Sequence, residues 1–444
     1  MTDGVAEGSV RRIGLRGAVG IGVGSMLGAG VFAVWSPAAQ AAGQYLLYAV
    51  ALAAVIATAN ALSTSWLAAR HPVAGGAYAF GTLEVHPVVG YIAGLGFVVG
   101  KTASLAAMGL TIGAYVWPGH SAIVATAALL AAWALNALGV TRTAAAATII
   151  GAAVLVALTV FVIAGAGQPA APTVAYTAPT VWWGPAAMVV AGAALVFFAF
   201  AGYARVATLG EEVREPRRNI PLAVGIALAI VLLTYGVVAL SLLRRPGLAA
   251  LPDSVAPLAE LVQGSLVPAS AVAVVAATAS FGVMVALGAG VGRTAMAMAR
   301  DRNLPAVLAR RGARGVPWIA EAVATTVAIA LAWIGDLTFA LSMSAFAVLI
   351  YYAIANLAAM RARRAKNIAV RKSLAWIPWL GLIGCVAFAL ALPLVPVLAA
   401  IALGLLAVAL RWFVSWLGRT REAIQEADAR RAQEVDEAGT PDAR

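Results

Sequence analysis

Gly20, Gly22, Gly24, Gly28 and Gly30 fall within the eleven residues Gly20-Ile-Gly-Val-Gly-Ser-Met-Leu-Gly-Ala-Gly30, inside a long apolar run. Glycine in a helix interior costs about 1 kcal/mol relative to alanine, so this density predicts a helix that breaks. In hydrocarbon a break leaves N–H and C=O groups unpaired at several kcal/mol each, and it survives only where protein or a ligand-filled cavity supplies partners. The chemistry on offer is binding through the main chain. A helix restarting near Gly28 presents free N–H groups and the positive end of its dipole, which favours an anion by about 0.3–2 kcal/mol. Carbonyls ending the preceding helix suit an ammonium. A zwitterion such as an α-amino acid meets both, which makes Met26, Leu27, Gly28, Ala29 and Gly30 candidate substrate contacts. The competing reading is that these glycines only let helices pack closely.

A second interruption is expected at Phe197-Phe-Ala-Phe-Ala-Gly-Tyr203, where aromatics crowd around Gly202. Phe197, Phe198 and Phe200 are candidates for an apolar wall or gate, with the reservation that consecutive aromatics cannot all face one cavity. Lys101, in Phe97-Val-Val-Gly-Lys-Thr-Ala-Ser-Leu105, lies deep in another apolar run. A lysine at the bilayer centre costs roughly 2.5–3.5 kcal/mol on insertion scales, so it should face a cavity or a partner. Three roles stay open for it: loading and releasing a proton, holding a fixed charge at a cation site or for a substrate carboxylate, and hydrogen bonding to carbonyls freed by the break. It is the candidate coupling residue.

These residues need elements to hold them. The 444 residues are 63% hydrophobic and only 11% charged, against about 45–50% and 25% in soluble domains. Repeated apolar runs of 18 or more residues make this an all-α integral membrane protein. Twelve segments are expected, at about 13–40, 44–67, 86–116, 119–139, 142–165, 184–208, 220–243, 266–299, 317–334, 337–360, 374–393 and 395–417. Segment 1 has no cleavage-site pattern and is read as retained.

Charge sets the expected orientation. Arg11, Arg12, Arg16, Arg70, Arg142, Arg214, Arg217, Arg218, the run 300–314, the run 361–372 and the tail from Arg419 fall on one side, against Arg244 and Arg245 on the other. That asymmetry places both termini in the cytoplasm of a cell-membrane protein. It also accounts for the net charge of +12 without nucleic acid. Trp117, Trp182 and Trp183 fit the outer aromatic belt. Residues 165–183 and 244–265 read as external loops, the second with a short surface helix. The lone Cys385 is a small apolar filler, and His71, His86 and His120 are too far apart for a metal triad. No metal or cofactor is expected. Arg205, Arg293 and Glu321 read as snorkelling or gate-pairing charges near helix ends, and Glu211 and Glu212 as loop partners of Arg214, Arg217 and Arg218. An enzyme would need a nucleophile–base pair, a phosphate loop or a ligand cluster, and a channel a polar pore lining. The chain shows none of these.

Interruptions in segments 1 and 6, five segments apart, are the pattern of an inverted-repeat transporter. Four strings then resemble the amino acid–polyamine–organocation (APC) family of permeases: Ile21 to Phe32, Arg70-His-Pro-Val-Ala-Gly-Gly-Ala-Tyr78, Phe198 to Gly202 with Gly210 to Pro221, and Arg293 to Pro305. The resemblance covers about residues 13–360. It implies a LeuT-type fold of twelve transmembrane helices, a 5+5 inverted repeat with broken helices 1 and 6 plus two C-terminal helices. The chain then divides into a cytoplasmic N-terminus (1–12), a first repeat (13–165), a second (184–360), helices 11–12 (374–417) and a cytoplasmic tail (418–444). The resemblance further implies secondary transport of amino acids by alternating access, with Phe198 at a gating position. The protein would be a monomer or homodimer in the lipid bilayer, proton-coupled or an exchanger.

The departures from the family pattern narrow this. Relatives that are proton-coupled often carry a lysine midway along helix 5; the count puts Val154 there, and 143–164 hold no ionisable residue. The acidic residue many relatives have after the helix 6 glycine is missing from Gly202-Tyr-Ala-Arg205, which disfavours polyamines and cationic amino acids. Met284 to Gly292 offers no hydroxyl for sodium. The expected substrate is a neutral amino acid or a broad set of them. The alternatives are another small organic amine or carboxylate, or a non-transporting sensor on the same fold.

Overall fold

The computed structural model describes residues 13–413 apart from 72–74, 140–143, 171–183, 208–211, 313 and 366–371. The expected basic N-terminus, Trp182, Trp183, Arg142, Glu211 and the tail from 418 lie outside the described residues.

Segment 1 forms α1 (Leu15–Met26), then α2 (Gly30–Ala33) and α3 (Trp35–Ala42) after a break. It is followed by α4 (Leu46–Arg70), the short α5 (Ala77–Glu84), α6 (Pro87–Val116), α7 (Ser121–Ala137) and α8 (Ala144–Ala166). Segment 6 forms α9 (Gly184–Phe200), a tight 3₁₀ turn at Ala201–Tyr203 and the short α10 (Ala204–Ala207). Then come α11 (Pro216–Leu242), α12 (Pro257–Leu261), α13 (Ala269–Arg300), α14 (Trp318–Ile334), α15 (Leu337–Arg364) and α16 (Ile377–Ala391). A last helix, α17, spans Leu394–Phe413. Among the described residues nine helical stretches are long and apolar enough to cross a membrane, and α7, α14 and α16 are shorter apolar helices. The chain is a multi-pass, all-helical membrane protein.

Local chemistry explains the helix ends. Pro87 sits in the first turn of α6, where its missing N–H costs nothing, and His86 accepts from Val88 N at 3.3 Å. Asp336 caps α15 by accepting from Phe339 N at 2.7 Å, an ordinary N-cap. The loop helix α12 departs from expectation: Leu258 and Leu261 are buried, so it plugs into the core rather than lying on the surface. Of the loop charges, Arg218 pairs with Glu215 at 3.8 Å, both exposed.

The interior holds two large hydrophobic cores. One gathers α1, α4, α9 and α11. The other gathers α6, α7, α13 and α14. Phe198 and Phe346 pack against both. The two interruptions therefore belong mainly to one body and the Lys101 helix to the other, with a seam between them.

Candidate functional site

Both interruptions are present and they touch. The α1 ladder ends as Leu27 N donates to Val23 O at 2.8 Å, and the chain restarts as Ala33 N donates to Ala29 O at 3.0 Å. The turn of Ala201–Tyr203 lies directly against the first break. A Cβ on Gly202 would stand 2.4 Å from Ser25 O, and one on Gly30 would stand 2.6 Å from Ala199 Cα. Only glycine lets the two backbones approach this closely.

Two tyrosines complete the arrangement. From α11, the Tyr235 hydroxyl lies 2.7 Å from Met26 O and 3.1 Å from Ala199 O, so one O–H bridges the carbonyl ends of both helices. From α15, Tyr352 donates to Ala201 O at 3.2 Å. Three carbonyls freed by the breaks thus have partners from the protein, which reduces the set left for a substrate ammonium. Sequence reasoning missed both tyrosines. The available signal was a phenol in an apolar segment, whose O–H must find an acceptor when buried.

A cavity of about 190 Å³ opens at the junction. Met26, Ala29 and Gly30 line it from the first break, and Phe198 and Gly202 from the second. Lys101, Ser104 and Met108 of α6 face them, with Val283 and Leu287 of α13 beside. The lining continues to Ile13, Arg205 and Glu212, at the ends of the helices where the basic loops gather.

Of the residues singled out in the sequence, Met26, Ala29, Gly30, Phe198, Gly202 and Lys101 come together here. Leu27, Gly28, Phe197 and Phe200 are not part of this lining. Leu27 is fully buried, and a Cβ on Gly28 would meet Val283 Cγ2 at 2.4 Å. Phe197 packs edge-on against Tyr352 at 5.8 Å and Phe388 at 6.0 Å. Phe200 packs against Tyr235 at 5.0 Å. Helical rotation sorts them: residues 197 and 200 share a face, and 198 is turned about 100° from 197.

Lys101 is partly exposed to the cavity and has no hydrogen bond or ion pair among the described residues, so its role as a donor to freed carbonyls is not realised. One turn on, Ser104 Oγ bonds to Gly100 O at 3.0 Å and to Ser344 Oγ at 2.7 Å, which fixes α6 to α15. Helix α8 meets α1 at Ala147 and Gly151: a Cβ on Gly24 would stand 2.4 Å from Ala147 O, and one on Gly151 would stand 2.6 Å from Gly24 Cα. Val154 is buried core one turn further along. No residue of α8 is ionisable.

Glu321 does not snorkel and makes no direct salt bridge among the described residues, although the Asn136 amide and the Arg293 guanidinium lie near enough to act on its charge. It is 2% exposed, and neither carboxylate oxygen makes a hydrogen bond of good geometry among the described residues.

Two of the sequence strings meet outside the membrane spans. The Tyr78 hydroxyl of α5 donates to the Asp301 carboxylate and accepts from Asn303 Nδ2 at 3.2 Å. Burial, reinforced by the Asp301 hydrogen bond, pushes the Tyr78 phenol up to about 12. Beside it, Ala77 N donates to the Tyr351 hydroxyl at 2.9 Å. The loop helix is thereby tied to the end of α13 and to the middle of α15.

Comparison with known proteins points the same way. A family model described as amino acid permease matches residues 13–414. An uncharacterized transporter of Mycobacterium tuberculosis is 44% identical over 439 residues, 97% of this chain and 94% of its own length. The vacuolar cationic amino acid transporter 4 of Arabidopsis thaliana is 30% identical over 243 residues, 49% of this chain and 40% of its own. The chloroplastic cationic amino acid transporter 9 of the same plant is 26% identical over 340 residues, 68% of this chain and 57% of its own.

Proposed function

The chain belongs to the amino acid permease family, and we propose that this transporter moves neutral α-amino acids across the cell membrane by alternating access. The observation that carries the reading is the cavity at the junction of the two breaks, with main chain on one wall and Lys101 on the other. The substrate carboxylate lies toward the N–H groups at Ala29 and Gly30 and toward the Lys101 ammonium. The substrate ammonium lies toward the carbonyl side of the breaks, and Phe198 covers its side chain.

Charge supports a neutral side chain. Glu212 is the acidic residue in the lining, and it sits at the mouth. Two unit charges about 4 Å apart interact by ~4 kcal/mol at a protein-like effective dielectric constant of ~20. A cationic side chain beside Lys101 would meet that repulsion uncompensated. The names of the plant relatives favour a cationic substrate as the second reading, and Lys101 weighs against it.

The architecture we propose is the twelve-helix, 5+5 inverted repeat, with repeats at 13–165 and 184–360, two appended helices at 374–417, and cytoplasmic termini at 1–12 and 418–444. The body holding α1, α4, α9 and α11 rocks against α6 and α13, and Phe198, which touches both cores, gates the seam. Lys101 links substrate to coupling, because a bound carboxylate and the charged ammonium favour each other; the cycle runs as proton symport or exchange. The test is a melting-temperature panel on the purified protein with each proteinogenic amino acid. Ligands that bind the folded state raise the midpoint. Neutral amino acids should do so in wild type and lose the effect in Lys101→Ala. A panel in which only arginine and lysine stabilise would overturn the substrate assignment.

A further inference from the structure

A second, smaller cavity lies behind the wall of the first. It has about 10 Å³ of free volume, room for a single water molecule. Leu105 of α6, Asn136 of α7, Met284 and Gly288 of α13, and Glu321 and Thr325 of α14 line it. Each helix shared with the substrate cavity contributes neighbouring residues to the two sites: Ser104 and Leu105 on α6, Val283 and Met284 or Leu287 and Gly288 on α13. The partition is one helix layer thick.

Glu321 gives this space a chemistry. Its side chain is enclosed and neither oxygen makes a hydrogen bond of good geometry among the described residues, with the Asn136 amide beside it. Gly292 makes the room, since a Cβ there would stand 2.4 Å from Glu321 Cγ. Asn136 Nδ2 donates to Val285 O at 3.0 Å, which holds its amide at the cavity edge. An unpaired carboxylate in such surroundings is strongly disfavoured, and such groups neutralise or recruit a partner. The charged groups on the packed helices are Lys101 on α6 and Arg293 and Arg300 on α13, while α7 and the rest of α14 have none.

We propose that Glu321, with Asn136 and Thr325, forms a second buried site that takes up a proton together with one water molecule, and that its occupancy biases the α6–α13 wall of the substrate cavity. Proton binding converts the carboxylate to a carboxylic acid, which the water and the Asn136 amide hydrogen-bond. Release restores a charge that this packing does not tolerate, so release accompanies movement of α14 relative to α13. The coupling role rests on the transport reading; the proton occupancy does not.

Two measurements separate these. Infrared difference spectra of the purified protein at neutral pH, wild type against Glu321→Gln, should show a protonated-carboxyl band that the variant lacks. Identical spectra overturn the site, whatever the protein transports. In liposomes, Glu321→Gln should keep substrate counterflow while losing uphill accumulation driven by an inward proton gradient, by tenfold or more. Accumulation equal to wild type, or wild-type accumulation that follows a sodium gradient instead, overturns the coupling role and leaves the transport reading standing. Asn136→Leu and Thr325→Val, which keep the carboxyl, serve if Glu321→Gln does not fold; each should move the midpoint of the pH–accumulation profile, and unmoved midpoints count against the site.

Discussion

Tyr235→Phe isolates the arrangement on which the substrate site depends. The ring would keep its edge-on packing against Trp35 at 6.0 Å and Phe200 at 5.0 Å, so the change removes one O–H and little else. That hydroxyl is shared between Met26 O and Ala199 O, and its loss leaves both carbonyls short of a buried donor. Leaving a buried polar group unsatisfied costs about 1–3 kcal/mol. If the conformation with both breaks in contact is the one that binds substrate, that cost appears as a loss of affinity of about 5- to 150-fold. Isothermal titration with the best neutral amino acid from the stability panel reads it directly. A Tyr235→Phe protein that binds within twofold of wild type would refute the idea that the tyrosine holds the two breaks in register.

Other outcomes follow from the same geometry. Gly202→Val should abolish transport, because its Cβ would sit 2.4 Å from the backbone oxygen of Ser25, which cannot swing aside as a side chain can; normal uptake would show that the breaks separate freely. Phe198→Ala should change substrate selectivity at nearly unchanged stability, whereas the fully buried Phe197→Ala should destabilise by about 3–5 kcal/mol, as read from denaturant or thermal melts in detergent. Tyr78→Phe, which removes the tie between α5 and Asp301, should lower kcat more than it raises KM in uptake assays, since the contact lies away from the cavity.

Much of the site was legible because it violates the rules for a transmembrane helix. Clustered glycines around Gly28 and a lysine at position 101 are expensive in hydrocarbon, so each demanded a reason, and the structure brings them to one cavity. Gly202 was legible only as the partner of that first break. The tyrosine caps were only half legible: a phenol in an apolar segment calls for an acceptor, but Tyr235 and Tyr352 reach the breaks from helices far along the chain, so nothing local names that acceptor. Nor could the sequence sort Phe197, Phe198 and Phe200 between cavity and core, because that depends on the rotation of α9. Glu321 was misread because position near a helix end suggests snorkelling, while the packing of Gly292 against it encloses it instead.

The most direct test of the central claim is saturable uptake of labelled neutral amino acids by proteoliposomes containing the wild-type protein, compared with Lys101→Ala. Saturable uptake that unlabelled neutral amino acids compete away, and that Lys101→Ala loses, is the expected result. Uptake confined to arginine and lysine, or neutral amino acid uptake that Lys101→Ala leaves unchanged, would contradict it.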